Sequence, residues 1–161
     1  MPPELADAYR RYFPALVRKC SRMLRDEHEA QDVAQESFLR LCQSELALAD
    51  VRAVTAWLYR TSTRLALDRL RARAQRSTEP MAWEQADGAS PPDEQLYLRG
   101  LWAELLRRVP ADELEAALLF RADGLPQAEI AEVLGVHERS VRRLLVQFEA
   151  RVERLRSRSE R

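Results

Sequence analysis

At 161 residues, 46% of them apolar and 32% charged, the chain has room for one domain or two small ones around a modest core. No apolar run approaches the roughly 18 residues of a membrane span and no signal peptide is evident, so membrane insertion is excluded and a cytoplasmic protein is expected. The 26 basic and 26 acidic residues cancel, which would argue against nucleic-acid binding if the charge were spread evenly.

It is not. Residues 1–76 hold 14 basic and 10 acidic groups, a surplus of +4, and residues 137–161 hold eight against four, again +4. Between them, residues 77–100 carry one against five and residues 101–136 three against seven, −4 each. Two basic segments are thus separated by acidic ones, and this asymmetry says more about partners than the total does. Every basic residue except Lys19 is arginine, which reads as the mark of a GC-rich genome. Cys20 and Cys42 lack metal-ligand spacing and fall on apolar helical stripes, so both are expected to be buried thiols. His28 and His137 are too isolated to be zinc ligands.

The first expected helix covers 4–24, with Leu5, Tyr9, Tyr12 or Phe13, Leu16, Val17, Cys20 and Leu24 inward and Pro14 predicting a kink or a broken start. A second covers 28–43, with Asp26 as N-cap and Glu27 and Glu29 in its first turn. Its apolar stripe is Ala30, Val33, Ala34, Phe38 and Leu41, which leaves Asp32, Gln35, Glu36 and Ser37 facing the other way. Residues 44–53 read as a connection. The third helix covers 54–74, capped by Thr55 or by Asp50 upstream, with Trp57, Leu58, Leu65 and Leu70 inward. Arg60, Arg64 and Arg71 share an outer face, a cationic stripe suited to phosphates. The run Thr61-Ser62-Thr63 lowers helix propensity, and points either to a polar contact or to a helix pair that needs small residues.

From 75 to 95 the pattern dissolves into Ser, Pro, Gly and acids, an acidic flexible linker between residues 1–74 and 96–161. Helices follow at 94–108 and 111–122, the latter closed by Gly124, then at 127–134, ending at Gly135. A last helix opens at His137 or Glu138 and runs to about Arg156. No strand pattern appears, so the fold class is all-α, two small helical domains. Ile130, Ala131, Leu134, Gly135, Val136, Val141 and Leu145 have the spacing of a helix-turn-helix: a small Ala for close approach, Gly for the turn, Val141 as anchor. Arg139, Ser140, Arg142 and Arg143 then lie at the end of the second helix that reads base edges in a major groove.

Asp32-Val-Ala-Gln-Glu-Ser-Phe-Leu-Arg-Leu41, then Ala56-Trp-Leu-Tyr-Arg60 and Asp68-Arg-Leu-Arg71, resemble the second domain of bacterial sigma factors, in particular the extracytoplasmic-function (ECF) group. Gly124-Leu-Pro-Gln-Ala-Glu-Ile-Ala-Glu-Val-Leu-Gly-Val136 resembles the fourth sigma domain, whose helix-turn-helix binds the −35 element. The resemblance implies that Asp32, Gln35 and Glu36 bind the β′ clamp helices of RNA polymerase core. It implies that Arg60, Thr63, Arg64, Asp68, Arg69 and Arg71 hold the −10 element, with residues 44–53 as the loop accepting a flipped-out base. The second domain would also meet the β flap, and an anti-sigma factor is a further implied partner. Three departures stand out: Arg64 where many members have Asn, Pro126 and His137 where a Ser or Thr cap is usual, and an apolar Leu144-Leu-Val-Gln-Phe148 where the family is basic. That apolar stretch is expected to meet a partner or a core helix.

No catalytic constellation, glycine-rich phosphate loop, cofactor motif or metal cluster is present in the sequence, so an enzyme is not expected. Asp32 and Glu36 share a face but lack a His partner for a metal. The resulting expectation is an ECF-type sigma factor that binds core polymerase and directs promoter-specific initiation, promoter DNA being its second partner. The rivals are a stand-alone helix-turn-helix regulator and a polymerase-binding decoy without initiation activity.

Overall fold

The computed structural model describes residues 3–76 and 91–159, and every regular element among them is a helix. In chain order these are α1 (Pro3–Leu24), α2 (Glu27–Gln43), α3 (Val51–Arg76), α4 (Pro92–Arg108), α5 (Ala111–Arg121), α6 (Gln127–Leu134) and α7 (Glu138–Ser159). The all-α expectation holds. Most of the expected linker, residues 77–90, lies outside the described residues. Its two ends belong to helices instead, α3 continuing to Arg76 and α4 opening at Pro92, a first-turn position where proline loses no hydrogen bond.

Local signals explain the boundaries. α1 passes through Pro14 without ending. Arg25 takes a left-handed conformation (φ 54°) that stops α1, and Asp26 then caps α2 by accepting a hydrogen bond from the Glu29 N–H at 3.0 Å. α3 begins three residues earlier than expected, because Asp50 caps it: its Oδ1 accepts from the Ala53 N–H at 3.0 Å. Ala122, not Gly124, closes α5, and Gly124 (φ 67°) instead turns the chain toward α6. Gly135 (φ 66°) ends α6 in the left-handed cap conformation, with the Val136 N–H donating to the Ala131 carbonyl at 3.0 Å.

α1, α2 and the first turns of α3 enclose one core, formed by Leu16, Ala34, Phe38, Leu41, Val54 and Leu58. Tyr9 stacks on Phe13 at 4.5 Å at its edge. A second core fills the helix-turn-helix: Leu119, Ile130, Leu134, Val141 and Leu144. The third crosses between the two halves, joining Leu24, Leu67 and Leu70 to Leu101, Leu106 and Leu114. Each fully buried leucine contributes roughly 1.5–3 kcal/mol relative to exposure, so this shared core binds the halves together.

α3 is therefore the central helix, touching α1 and α2 on one side and α4, α5 and α6 on the other. Ser62, Thr63, Leu65, Ala66 and Leu67 are all buried, covering nearly every direction around its axis. The hydroxyls of Ser62 and Thr63 donate to the Tyr59 carbonyl at 3.2 and 2.7 Å, which satisfies them within the helix. Of the two readings of this run, small residues for close helix packing is the one the packing fits.

Two expectations need correction. Ser37 does not face outward with Asp32; it is buried, its hydroxyl donating to the Val33 carbonyl at 2.8 Å. Cys42 is exposed, because position 42 falls beside rather than on the stripe that Leu41 completes, whereas Cys20 is buried as expected. Of the two expected roles of the apolar stretch 144–148, the core is the one observed: Leu144 and Phe148 are core residues and Leu145 packs against the helix-turn-helix, which leaves Val146 exposed.

Candidate nucleic-acid interface

The acidic face of α2 is built as its periodicity requires. Asp32 and Gln35 are exposed and Glu36 is half-buried, all on the side of α2 opposite the core. Glu36 pairs with Arg40 at 2.6 Å, one turn along. Arg69, assigned from the sequence to DNA, reaches this face from α3 and lies 3.7 Å from Asp32 and 3.9 Å from Glu36. Sequence reasoning missed Leu39. It is 63% exposed, one turn beyond Gln35 and Glu36, and with Leu5, Tyr9, Phe38 and Cys42 it lines a shallow apolar groove beside the carboxylates. Four residues in helical register thus offer charge, amide and an apolar knob on one stripe.

The expected outer face of α3 is partly taken up by contacts with the C-terminal helices, the Arg64 side chain staying half exposed, and this is the main departure from the sequence reading. The Arg64 Nε donates to Glu115 Oε1 of α5 at 2.7 Å. The Arg71 Nη2 donates to the Val109 carbonyl at 2.6 Å. The Arg60 guanidinium lies against Gly135 in the turn of the helix-turn-helix, its Nε buried without a hydrogen-bond partner. Thr63 is fully buried, and Asp68 is exposed. Trp57 packs against the core of α1 and α2, whereas Tyr59 packs against that of the helix-turn-helix.

Further ties flank these. Lys19 of α1 pairs at 2.5 Å with Asp123, which follows α5, both side chains being almost wholly buried, and Arg22 adds a second contact to Asp123 at 3.2 Å. The Lys19 ammonium also sits 5.5 Å from the Tyr59 ring centre. Arg52, at the start of α3, grips Glu132 of α6 with both its Nε and a terminal nitrogen, and this hydrogen bond raises the arginine's pKa. Burial raises the Glu115 carboxyl above its usual range, an effect that Arg64 opposes but does not cancel.

The second expected face is open. α6, the Gly135 turn and the start of α7 form the helix-turn-helix, anchored by the buried Val141 against Ile130 and Leu119. Arg139, Arg142 and Arg143 are exposed at the first turns of α7, and Ser140 is half-buried between them. Arg142 is 3.6 Å from Glu138, an exposed pair that leaves its guanidinium available. No described helix is long and apolar enough to cross a membrane.

Residues 8–76 match the family model described as Sigma-70 region 2, and residues 99–151 match the one described as Sigma-70, region 4. The chain is 30% identical over 144 residues to the ECF RNA polymerase sigma factor SigW of Bacillus subtilis, an overlap covering 81% of this chain and 77% of that one. It is 34% identical over 128 residues to the ferric citrate uptake sigma factor FecI of Escherichia coli, covering 76% and 73%. It is 30% identical over 146 residues to the ECF RNA polymerase sigma factor SigE of Mycolicibacterium smegmatis, covering 87% of this chain and 56% of that one. With regions 2 and 4 in family order on one helical chain, this protein belongs to the ECF group of the sigma-70 family, the sigma factors that direct promoter-specific transcription initiation by RNA polymerase.

Proposed function

We propose that the α2 stripe of Asp32, Gln35, Glu36 and Leu39 docks on the β′ clamp helices of core polymerase. The observation that carries this reading is one exposed helical face combining two carboxylates, an amide and a 63%-exposed leucine beside an apolar groove. Carboxylates facing partner arginines give register and association rate, and the leucine adds apolar burial. In this reading α3 grips the −10 element with Arg60, Arg64, Asp68, Arg69 and Arg71, Thr63 serving the packing of α3 instead, and the 44–53 loop takes an extruded base, offsetting its lost stacking. Arg139, Ser140, Arg142 and Arg143 read the −35 element as duplex, with α4–α7 also meeting the β flap. Such a division of labour needs two DNA faces on two units, residues 1–74 and 96–161, joined by a connection long enough to span a promoter.

Run-off transcription by purified bacterial core polymerase on the upstream region of the chain's own gene tests this. The wild type should yield a promoter-specific transcript that an Asp32→Ala, Glu36→Ala double variant loses. A wild type that binds duplex DNA but never core polymerase would overturn the reading in favour of a stand-alone regulator. Core binding without any promoter selectivity would overturn it in favour of a decoy.

A further inference from the structure

Three arginines of α7 have no part in the roles assigned above. Arg151, Arg154 and Arg158, spaced by three and four, share one face of the helix. Along the axis they begin about 12 Å beyond Arg143 and end about 22 Å beyond it, so they form a group separate from the recognition arginines. The packing of α7 on α4 brings this face to the end of α4, where Arg108 and Val109 complete a cavity of about 210 Å³. Arg108, Arg151, Arg154 and Arg158 line it together with the apolar Val109 and Leu155, and no acidic side chain is among them.

The four guanidiniums are not neutralised one for one. Arg108 is tied to Glu104 at 2.6 Å and Arg151 to the buried Glu113 at 2.7 Å, in both cases through Nε. The Arg154 Nε donates to the Ala150 carbonyl at 3.2 Å. Among the described residues neither Arg154 nor Arg158 has a carboxylate partner, which leaves two positive charges uncompensated. Three guanidiniums are thus anchored on their Nε side, and no hydrogen bond among the described residues engages their terminal nitrogens. Helix C-termini attract cations, which accounts for Arg108 and Arg158. Arg151 and Arg154 stand more than a turn before the end of α7, where the dipole has little hold.

We propose that this cavity is a binding site for a diphosphate group. Arginines present paired N–H donors that match phosphate oxygens bidentately, and anchoring Nε in advance lowers the entropy lost on binding. The volume corresponds to about seven water molecules, close to a diphosphate. It lies below the roughly 300 Å³ at which pockets enclose a drug-sized ligand, so a nucleotide would place its diphosphate inside and its base outside. The ligand bridges α4 and α7 and stabilises the C-terminal unit by mass action. The site lies wholly within that unit and does not depend on how either promoter element is held.

Isothermal titration calorimetry of the full chain, in magnesium-free buffer at matched ionic strength, tests this. Pyrophosphate should bind one to one and at least about tenfold more tightly than sulfate. Arg154→Gln with Arg158→Gln should weaken it at least about tenfold; both positions are exposed, and circular dichroism checks the fold. Arg139→Gln with Arg142→Gln should leave pyrophosphate affinity within about twofold of wild type. Binding that survives the first pair of changes, or that is lost with the second, overturns the proposal. Equal affinity for pyrophosphate and sulfate also overturns it, being mere charge attraction. GDP separates the two sources of the group. An affinity equal to that of pyrophosphate supports a nucleotide-borne diphosphate, and one about tenfold weaker supports the free anion.

Discussion

Arg69 of α3 stands 3.7 Å from the Asp32 carboxylate and 3.9 Å from that of Glu36, both on α2, so one guanidinium partly neutralises the pair proposed to meet the polymerase. Removing it should expose both acids to the partner. Arg69→Ala is expected to raise the association rate with core polymerase at low salt, the gain fading toward 0.5 M as screening grows. Asp32→Ala with Glu36→Ala should weaken core binding at least tenfold, about 1.4 kcal/mol. The same double change should move the melting temperature by no more than about 4 °C, because exposed ion pairs contribute roughly 0–1 kcal/mol. Surface plasmon resonance at several salt concentrations and a thermal melt read both effects.

The Glu115 carboxyl gives a pH signature. Burial raises its pKa, so its contribution to the folded state is complete below the ordinary value of 4.5 and is lost as pH climbs through the raised value. Glu115→Gln removes that titration. Relative to wild type, the variant should therefore gain stability as pH rises from 4.5 upward, read as the difference between paired thermal melts across pH 4–7. A difference that stays flat over this range contradicts the burial effect.

Leu144, Phe148 and Val146 separate core from surface within one turn of α7. Leu144→Ala should cost about 2–5 kcal/mol and Phe148→Ala about 3–5, since each leaves a cavity in a packed cluster. Val146→Ala, at a 64% exposed position, should stay within about 0.5 kcal/mol. Urea titrations distinguish the three.

The two cysteines should behave oppositely. Burial pushes the Cys20 thiol up to about 11, so at pH 8 only roughly one molecule in a thousand carries the reactive thiolate. The exposed Cys42 should take up one equivalent of maleimide within minutes, and the second equivalent should follow only in denaturant. Mass spectrometry of the labelled peptides identifies the site.

Much of this was legible in the sequence, because helix caps and apolar stripes are local. Asp26, Gly135 and the Ala30–Leu41 stripe of α2 announced their roles through spacing alone. The acidic face at Asp32 and the arginines opening α7 follow from the same periodicity. What spacing could not give is which side of α3 a second unit covers. Arg60, Arg64 and Arg71 share a face by arithmetic, but whether water or Glu115 meets it is decided by residues some fifty positions away in the chain. Leu39 escaped notice because a single exposed leucine carries no periodic signal. The run Thr61-Ser62-Thr63 did carry one, and the packing around α3 selected between its two meanings.

Lys19 is the chain's single lysine, and it lies buried against Asp123 and the Tyr59 ring. Apart from the α-amino group, then, the folded chain presents no primary amine to acylating reagents. Separating Asp123 from α1 would uncover one. The protein carries a built-in covalent reporter: the acetylation rate at a single position measures how often its two halves come apart, with no label introduced and no residue replaced.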